Sequence, residues 1–130
     1  MPPLHVPIDR STTFGAQLSH EPTTGPVVLI NVISIPAGTD WAAFLETWRQ
    51  SAEVLKKAPG YISTQLHRAI GDGSFIINYA VWESNETLKN GLNLPEFRKV
   101  CEDFPDGTEF RASVVEKLAV DGVCVGTPLA

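Results

Sequence analysis

The chain is short of several residue types that particular functions need. Among 130 residues there are only three histidines and two cysteines. His5, His20 and His67 are scattered, none within two to five residues of another, so no ligand pair for zinc or non-haem iron is expected. Cys101 and Cys124 show neither CxxC nor CxxH spacing, which fits reduced thiols and a cytoplasmic location. A single disulfide between them depends on geometry alone. Basic residues are also scarce: 10 Lys and Arg against 15 Asp and Glu give a net charge of −5. The cationic footprint required by phosphate backbones or anionic lipid is missing, so neither nucleic acid nor a membrane surface is expected as a partner. Long hydrophobic runs are absent as well. Residues 27–33, the longest apolar stretch, are interrupted by Asn31 and fall far short of the roughly 20 residues that span a bilayer. The first ten residues carry prolines and an acid where a secretory signal has a basic start and an apolar run, so export is not expected. No Gly-x-Ser-x-Gly elbow occurs. Gly71-Asp72-Gly73 joins two strands rather than opening a helix, so it is not a phosphate loop.

What remains suits one compact domain. Apolar residues make up 43% of the chain and charged residues 19%, below the usual charged share of about 25%, so a sizeable core and a subunit interface can both be buried. The length matches one domain of about 100–150 residues. Residues 1–26 hold five prolines (Pro2, Pro3, Pro7, Pro22, Pro26) and no sustained periodicity, which predicts an extended arm over 1–25, either mobile or laid across another surface. The domain proper is expected over 26–121, with a tail over 122–130.

Residues 27–35 are β-branched on both parities, as in a strand covered on both faces. After Pro36-Ala37-Gly38, Thr39 or Asp40 is suited to cap a helix in which Trp41, Phe44, Leu45, Trp48, Ala52 and Leu55 recur at helical spacing. Pro59-Gly60 ends it. Residues 61–69 and 75–83 read as a hairpin turning at Asp72-Gly73 in a two-residue type I′ turn. Ser84 caps a second helix, weakened at Gly91 and broken at Pro95. Residues 110–120 form the last strand. The order βαββαβ is the split, ferredoxin-like α+β motif: an antiparallel sheet with both helices on one face. The other face would expose a large apolar patch, so a second copy is expected to cover it.

Side chains alternate along a strand, so Asn78, Ala80 and Trp82 share one face and Phe75, Ile77, Tyr79 and Val81 the other. A turn at Asp72-Gly73 places His67 opposite Asn78, Gln65 opposite Ala80 and Ser63 opposite Trp82, which makes one face polar. Leu66 and Thr64 then fall on the opposite, apolar face, and a one-residue slip destroys this sorting. Asn31 is the lone polar residue in its strand and stands beside Asn78 in the ferredoxin-like order. Each residue also has a plainer reading. Asn31 and Asn78 can be satisfied structural amides; Trp82, Trp41 and Trp48 can be core; His67 can be a structural strand residue; Cys101 can be a small buried apolar group.

Four pieces carry a family resemblance: residues 27–38, residues 58–64 (Ala-Pro-Gly-Tyr-Ile-Ser-Thr), residues 66–68 (Leu-His-Arg) and residues 78–84 (Asn-Tyr-Ala-Val-Trp-Glu-Ser). Together they resemble the antibiotic biosynthesis monooxygenase (ABM) domain from about Pro26 to Val100. The resemblance implies a dimeric α+β barrel, two sheets face to face, with a ligand cleft in each subunit between sheet and helices. Quinone-forming members of that family oxidise polycyclic phenols with O2 without flavin, haem or metal. They use an Asn and a Trp four residues apart on a strand, which match Asn78 and Trp82. Haem-degrading relatives use an Asn on the first strand, matched by Asn31, with a Trp and a His on the second helix. The positions aligned with those two are Gly91 and Cys101, so no axial histidine is supplied.

The sequence therefore predicts a cofactor-independent, metal-free monooxygenase acting with O2 on an electron-rich, apolar, aromatic or enolisable small molecule. Asn78, Trp82 and His67 are the candidate catalytic residues, with His67 as general base. Asn31, Tyr61 and Gln65 are the candidate substrate contacts. The expected assembly is a cytoplasmic homodimer. A second reading is a non-oxidative binder or polyketide cyclase-like accessory protein of the same fold, and a third is a structural dimer whose cleft is filled by side chains.

Overall fold

The computed structural model describes residues 2–20 and 25–129; Pro22 of the predicted arm lies outside them. In chain order the elements are β1 (Leu4–His5), α1 (Phe14–Leu18), β2 (Val27–Ser34), α2 (Trp41–Lys56), β3 (Tyr61–Arg68), β4 (Phe75–Trp82), α3 (Asn85–Leu92), α4 (Pro95–Cys101) and β5 (Glu109–Val115). The strands form one sheet in the order β1-β5-β2-β4-β3. All neighbours are antiparallel except β1 and β5. From β2 onward this is the ferredoxin-like βαββαβ order, with β2, the most apolar strand, at the centre.

Local chemistry sets the helix ends. Asp40, rather than Thr39, caps α2: its Oδ1 accepts from the backbone N–H of Ala42 at 3.0 Å and of Ala43 at 3.4 Å. Ser84 caps α3 in a reciprocal box with Thr87. The helical segment breaks before Pro95, which occupies the first turn of α4, where a missing N–H costs nothing. Gly60, at φ +88°, brings the β3 entry against α3 so closely that a Cβ would lie 2.3 Å from the Thr87 Cβ.

All four helices cover one face of the sheet. Val27, Leu29, Ala80 and Trp82 pack with Leu88, joined by Phe14, Leu18, Leu55 and Leu92. Ile33, Ile76 and Phe110 pack with Phe44 and Phe104, joined by Trp41, Trp48 and Cys101. On the other face the central strands present Ile30, Val32, Ile77, Tyr79 and Val81. Among these Tyr79 is 36% exposed, and Phe75 next to them is 38% exposed. This apolar band is flanked by Ser63, Gln65 and His67 on β3 and by Glu109, Arg111 and Ser113 on β5.

Two sequence expectations need correction. The β3–β4 hairpin pairs one residue out of the predicted register: Leu66 faces Asn78, Gln65 faces Tyr79 and His67 faces Ile77. A type I′ turn at Asp72-Gly73 requires positive φ at both residues. Among the described residues no non-glycine has positive φ, and in this loop Gly71 supplies it instead, at φ +73°. The longer loop, closed by Ala69 N–H to Phe75 C=O at 3.1 Å, shifts the pairing by one. The last strand ends at Val115 instead of running to Val120. Beyond it Val120 bridges to Cys124 around Asp121-Gly122, with Gly122 at φ +73°. The N-terminal segment packs on its own domain. Leu4 and His5 add a strand to β5. The Gln17 carboxamide mimics a further strand residue, accepting from Val114 N–H and donating to Val114 C=O, each at 3.0 Å.

Candidate functional site

The site follows from rows of partners across the sheet. Asn31 on β2 and Asn78 on β4 are direct partners, flanked by Ala112 on β5 and Leu66 on β3. In the next row stand Leu29, Ala80 and Thr64. Direct antiparallel partners hold their Cβ atoms about 4.5–5.5 Å apart, so the two carboxamides lie side by side on the helix-covered face. A bulge between Tyr61 and Ser63 returns Tyr61 to this face opposite Trp82, where the two rings meet edge to face at 5.6 Å.

Between this floor and the helices lies a cavity of about 70 Å³ lined by Asn31, Asn78, Thr64, Tyr61 and Trp82, under Trp48, Leu55, Leu92, Phe97 and Cys101. Asn78 is oriented by Thr64, whose hydroxyl donates to Asn78 Oδ1 at 2.5 Å, so the amide N–H groups are turned to other acceptors. Asn31 Oδ1 is buried without a hydrogen-bond partner. Leaving a buried amide oxygen unpaired costs about 1–3 kcal/mol. Trp82 is 1% exposed, and its indole fits beneath α3 because position 91 is glycine: a Cβ there would lie 2.7 Å from Trp82 Cη2.

The cavity is also uncharged. Its two titratable lining groups are Tyr61 and Cys101. Burial pushes the Cys101 thiol up to about 11, and burial with the nearby Glu53 carboxylate raises the Tyr61 phenol. Both are protonated at neutral pH. The lining can donate and accept hydrogen bonds in an apolar setting, but it holds no imidazole or carboxylate to take a proton.

The structure thus brings four of the six predicted site residues together: Asn31, Asn78, Trp82 and Tyr61. His67 and Gln65 are exposed on the opposite face of the sheet, a direct result of the one-residue register difference, and His67 cannot serve this cavity as a base. Thr64, which the predicted register assigned to the far face, is the residue that orients Asn78. The outward parity of Gln65 and His67, both strongly polar and flanking Leu66, was the available signal. Among the described residues no group of three or more His, Cys, Asp or Glu side chains is arranged to hold a metal ion. Nor is any helix among them long and apolar enough to cross a membrane.

Sheet order, single helical layer and roofed cavity define a ferredoxin-like α+β protein. The sequence profile of the antibiotic biosynthesis monooxygenase family matches residues 26–103, and the chain belongs to that family. Among solved structures it is similar to a putative monooxygenase from Shewanella loihica PV-4, at 26% identity and a TM-score of 0.63, covering 75% of this chain and 99% of that one. It shares its fold with SnoaB, a cofactor-independent oxygenase from Streptomyces nogalater, at 16% identity, TM-score 0.64, 75% of this chain and 98% of that one. The same holds for Rv0793 from Mycobacterium tuberculosis, at 14% identity, TM-score 0.60, 75% and 99%. No curated protein sequence matches significantly.

Proposed function

We propose that this chain is a cofactor-independent monooxygenase that oxidises an electron-rich, hydroxylated or enolisable aromatic molecule with O2. The observation that carries the reading is the pair of neighbouring carboxamides, Asn31 and Asn78, on the floor of an apolar, uncharged cavity walled by Trp82. A phenolate or enolate in such a site is held by amide N–H donors in a low dielectric, which stabilises the anion far more than the same donors do in water. An electron-rich carbanion of this kind reduces O2 directly. One oxygen atom enters the product as a carbonyl and the other leaves as water, the substrate carbon having lost two hydrogens and supplied all four electrons.

In this scheme Asn78, held by Thr64, donates to the substrate oxygen. Asn31 supplies a second polar contact, and its unpaired Oδ1 accepts from a substrate hydroxyl. Trp82 and Tyr61 form the aromatic wall. No side chain in the cavity acts as base, so the substrate proton leaves to water and the amides act by lowering the substrate's own pKa. The test is O2 uptake by metal-free protein with an anthrone. Uptake with quinone formation, reduced at least tenfold in Asn78→Ala, supports the proposal; binding of the anthrone with no uptake identifies a non-oxidative binder instead.

The assembly belongs to the same proposal. The bare sheet face has an apolar centre and a polar border, the anatomy of a protein interface, and a second copy packed against it makes a homodimer. Nothing in this mechanism needs nucleic acid, lipid or a metal, and a reduced cytoplasmic setting suits the two free thiols, Cys101 and Cys124.

A further inference from the structure

The cavity over Asn31 and Asn78 measures about 70 Å³, whereas sites for drug-sized ligands run to roughly 300–1,000 Å³. A fused aromatic ring system cannot be housed there alone. Next to it lies a second hollow of about 450 Å³. The two abut across Leu29, Asn31, Leu92, Phe97 and Cys101, which line both. The remaining wall of the larger hollow comes largely from the N-terminal segment, through Pro3, His5, Phe14 and Leu18. That segment precedes residue 26, where the family profile begins.

We propose that residues 3–18 are part of the ligand site: they build a second compartment beyond Asn31 that sets how long a ligand the protein takes. The inference deepens the functional reading above and rests on it. Three features support it. The segment is fastened where it must be if it is to act as a wall, by Leu4 N–H to Thr108 C=O and Val6 N–H to Phe110 C=O, each 2.8 Å, and by the Gln17 clamp on Val114. Apart from His5, its side chains that line the compartment are apolar, and the opposite wall, Leu92, Phe97 and Ala112, is apolar too. Asn31, whose Oδ1 lacks a partner, stands at the junction, where a hydroxyl in the middle of an extended ring system would reach it. Asn93 and Arg98 line the compartment as well, so a polar end group is accommodated beside the far rings. The ligand class is a hydroxylated polycycle of three or more fused rings, with its reacting ring over Asn78 and the remaining rings under the arm.

The experiment compares binding of 1-naphthol and 1-hydroxypyrene by the full chain under anaerobic conditions, where binding is read without turnover. Leu18→Trp fills the compartment from the arm and Ala112→Leu fills it from the sheet. Thermal melts on both exclude loss of fold, and one variant suffices if the other does not fold. The wild-type protein is expected to prefer 1-hydroxypyrene, and a filled compartment to reduce that preference at least tenfold. A folded variant that keeps the wild-type preference overturns the inference and leaves the functional reading standing. A wild-type protein that takes up neither compound overturns both.

Discussion

At the scale of single residues, two carboxamides sit side by side where the rest of the central strands is apolar. That arrangement lowers stability unless something in the cavity completes their hydrogen bonds. Replacing Asn31 with Leu is therefore expected to raise the melting temperature while reducing O2 uptake with an anthrone at least tenfold, a trade seen where a site is held at the expense of the fold. Calorimetry and an oxygen electrode on the same samples check both halves. The thiols give a second prediction. Cys101 is held protonated up to about 11 by burial, whereas Cys124 is exposed. A disulfide-exchange reagent at pH 8 should modify one thiol per chain quickly and the other only on unfolding. The sign for stability follows. The unfolded thiol ionises near its ordinary value and the folded one does not, so the Cys101 contribution is intact below pH 9 and is lost as pH rises towards 11. Cys101→Ala should flatten the alkaline limb of the stability profile.

At the scale of elements, glycine decides how closely helix α3 approaches the sheet. Alanine at position 91 gains about 1 kcal/mol in helix propensity, but its Cβ would press on the Trp82 ring at 2.7 Å, and overpacking of this kind costs about 1–3 kcal/mol. The second effect wins, so Gly91→Ala should destabilise by up to about 2 kcal/mol in chemical denaturation and alter tryptophan fluorescence by displacing Trp82. Most of the elements were legible in the sequence, because their signals are local: the β-branched run of β2, the cap at Asp40, the break at Pro95, the alternation of Asn78 and Trp82. The pairing of β3 with β4 was not. An Asp-Gly pair suggests a tight turn, and only the conformation of Gly71 and the bulge after Tyr61, both products of the assembled sheet, reveal the longer loop. That single difference moved His67 and Gln65 out of the site and Thr64 into it. The arm was unreadable for another reason. Its contacts with β5 and α3 are made by isolated residues such as Gln17, which leave no periodic trace.

At the scale of the whole molecule, the bare face of the sheet is the surface that the proposed homodimer would bury. The wild-type protein is expected to sediment at twice the 14.1 kDa of one chain. Tyr79→Glu, which puts a charge in the middle of the apolar band without touching the cavity on the far side, should shift it to the monomer. Analytical ultracentrifugation across a concentration series separates the two states. Because the two faces of β4 alternate, the same strand presents Asn78 and Trp82 to the cavity and Ile77, Tyr79 and Val81 to the bare face proposed to meet a second copy. Dissociation is therefore expected to loosen the site and slow turnover as well.

The carboxamide of Gln17 fastened to Val114 has a further consequence. A strand at the border of a sheet offers unsatisfied amides and carbonyls to any passing chain, which is how edge-to-edge polymerisation begins. Here one flank of the sheet is sealed twice, by the short β1 and by a side chain acting as a plug. Gln17→Ala would uncork the Val114 stretch of that flank, and the lesion would show as slow fibrous growth in concentrated samples.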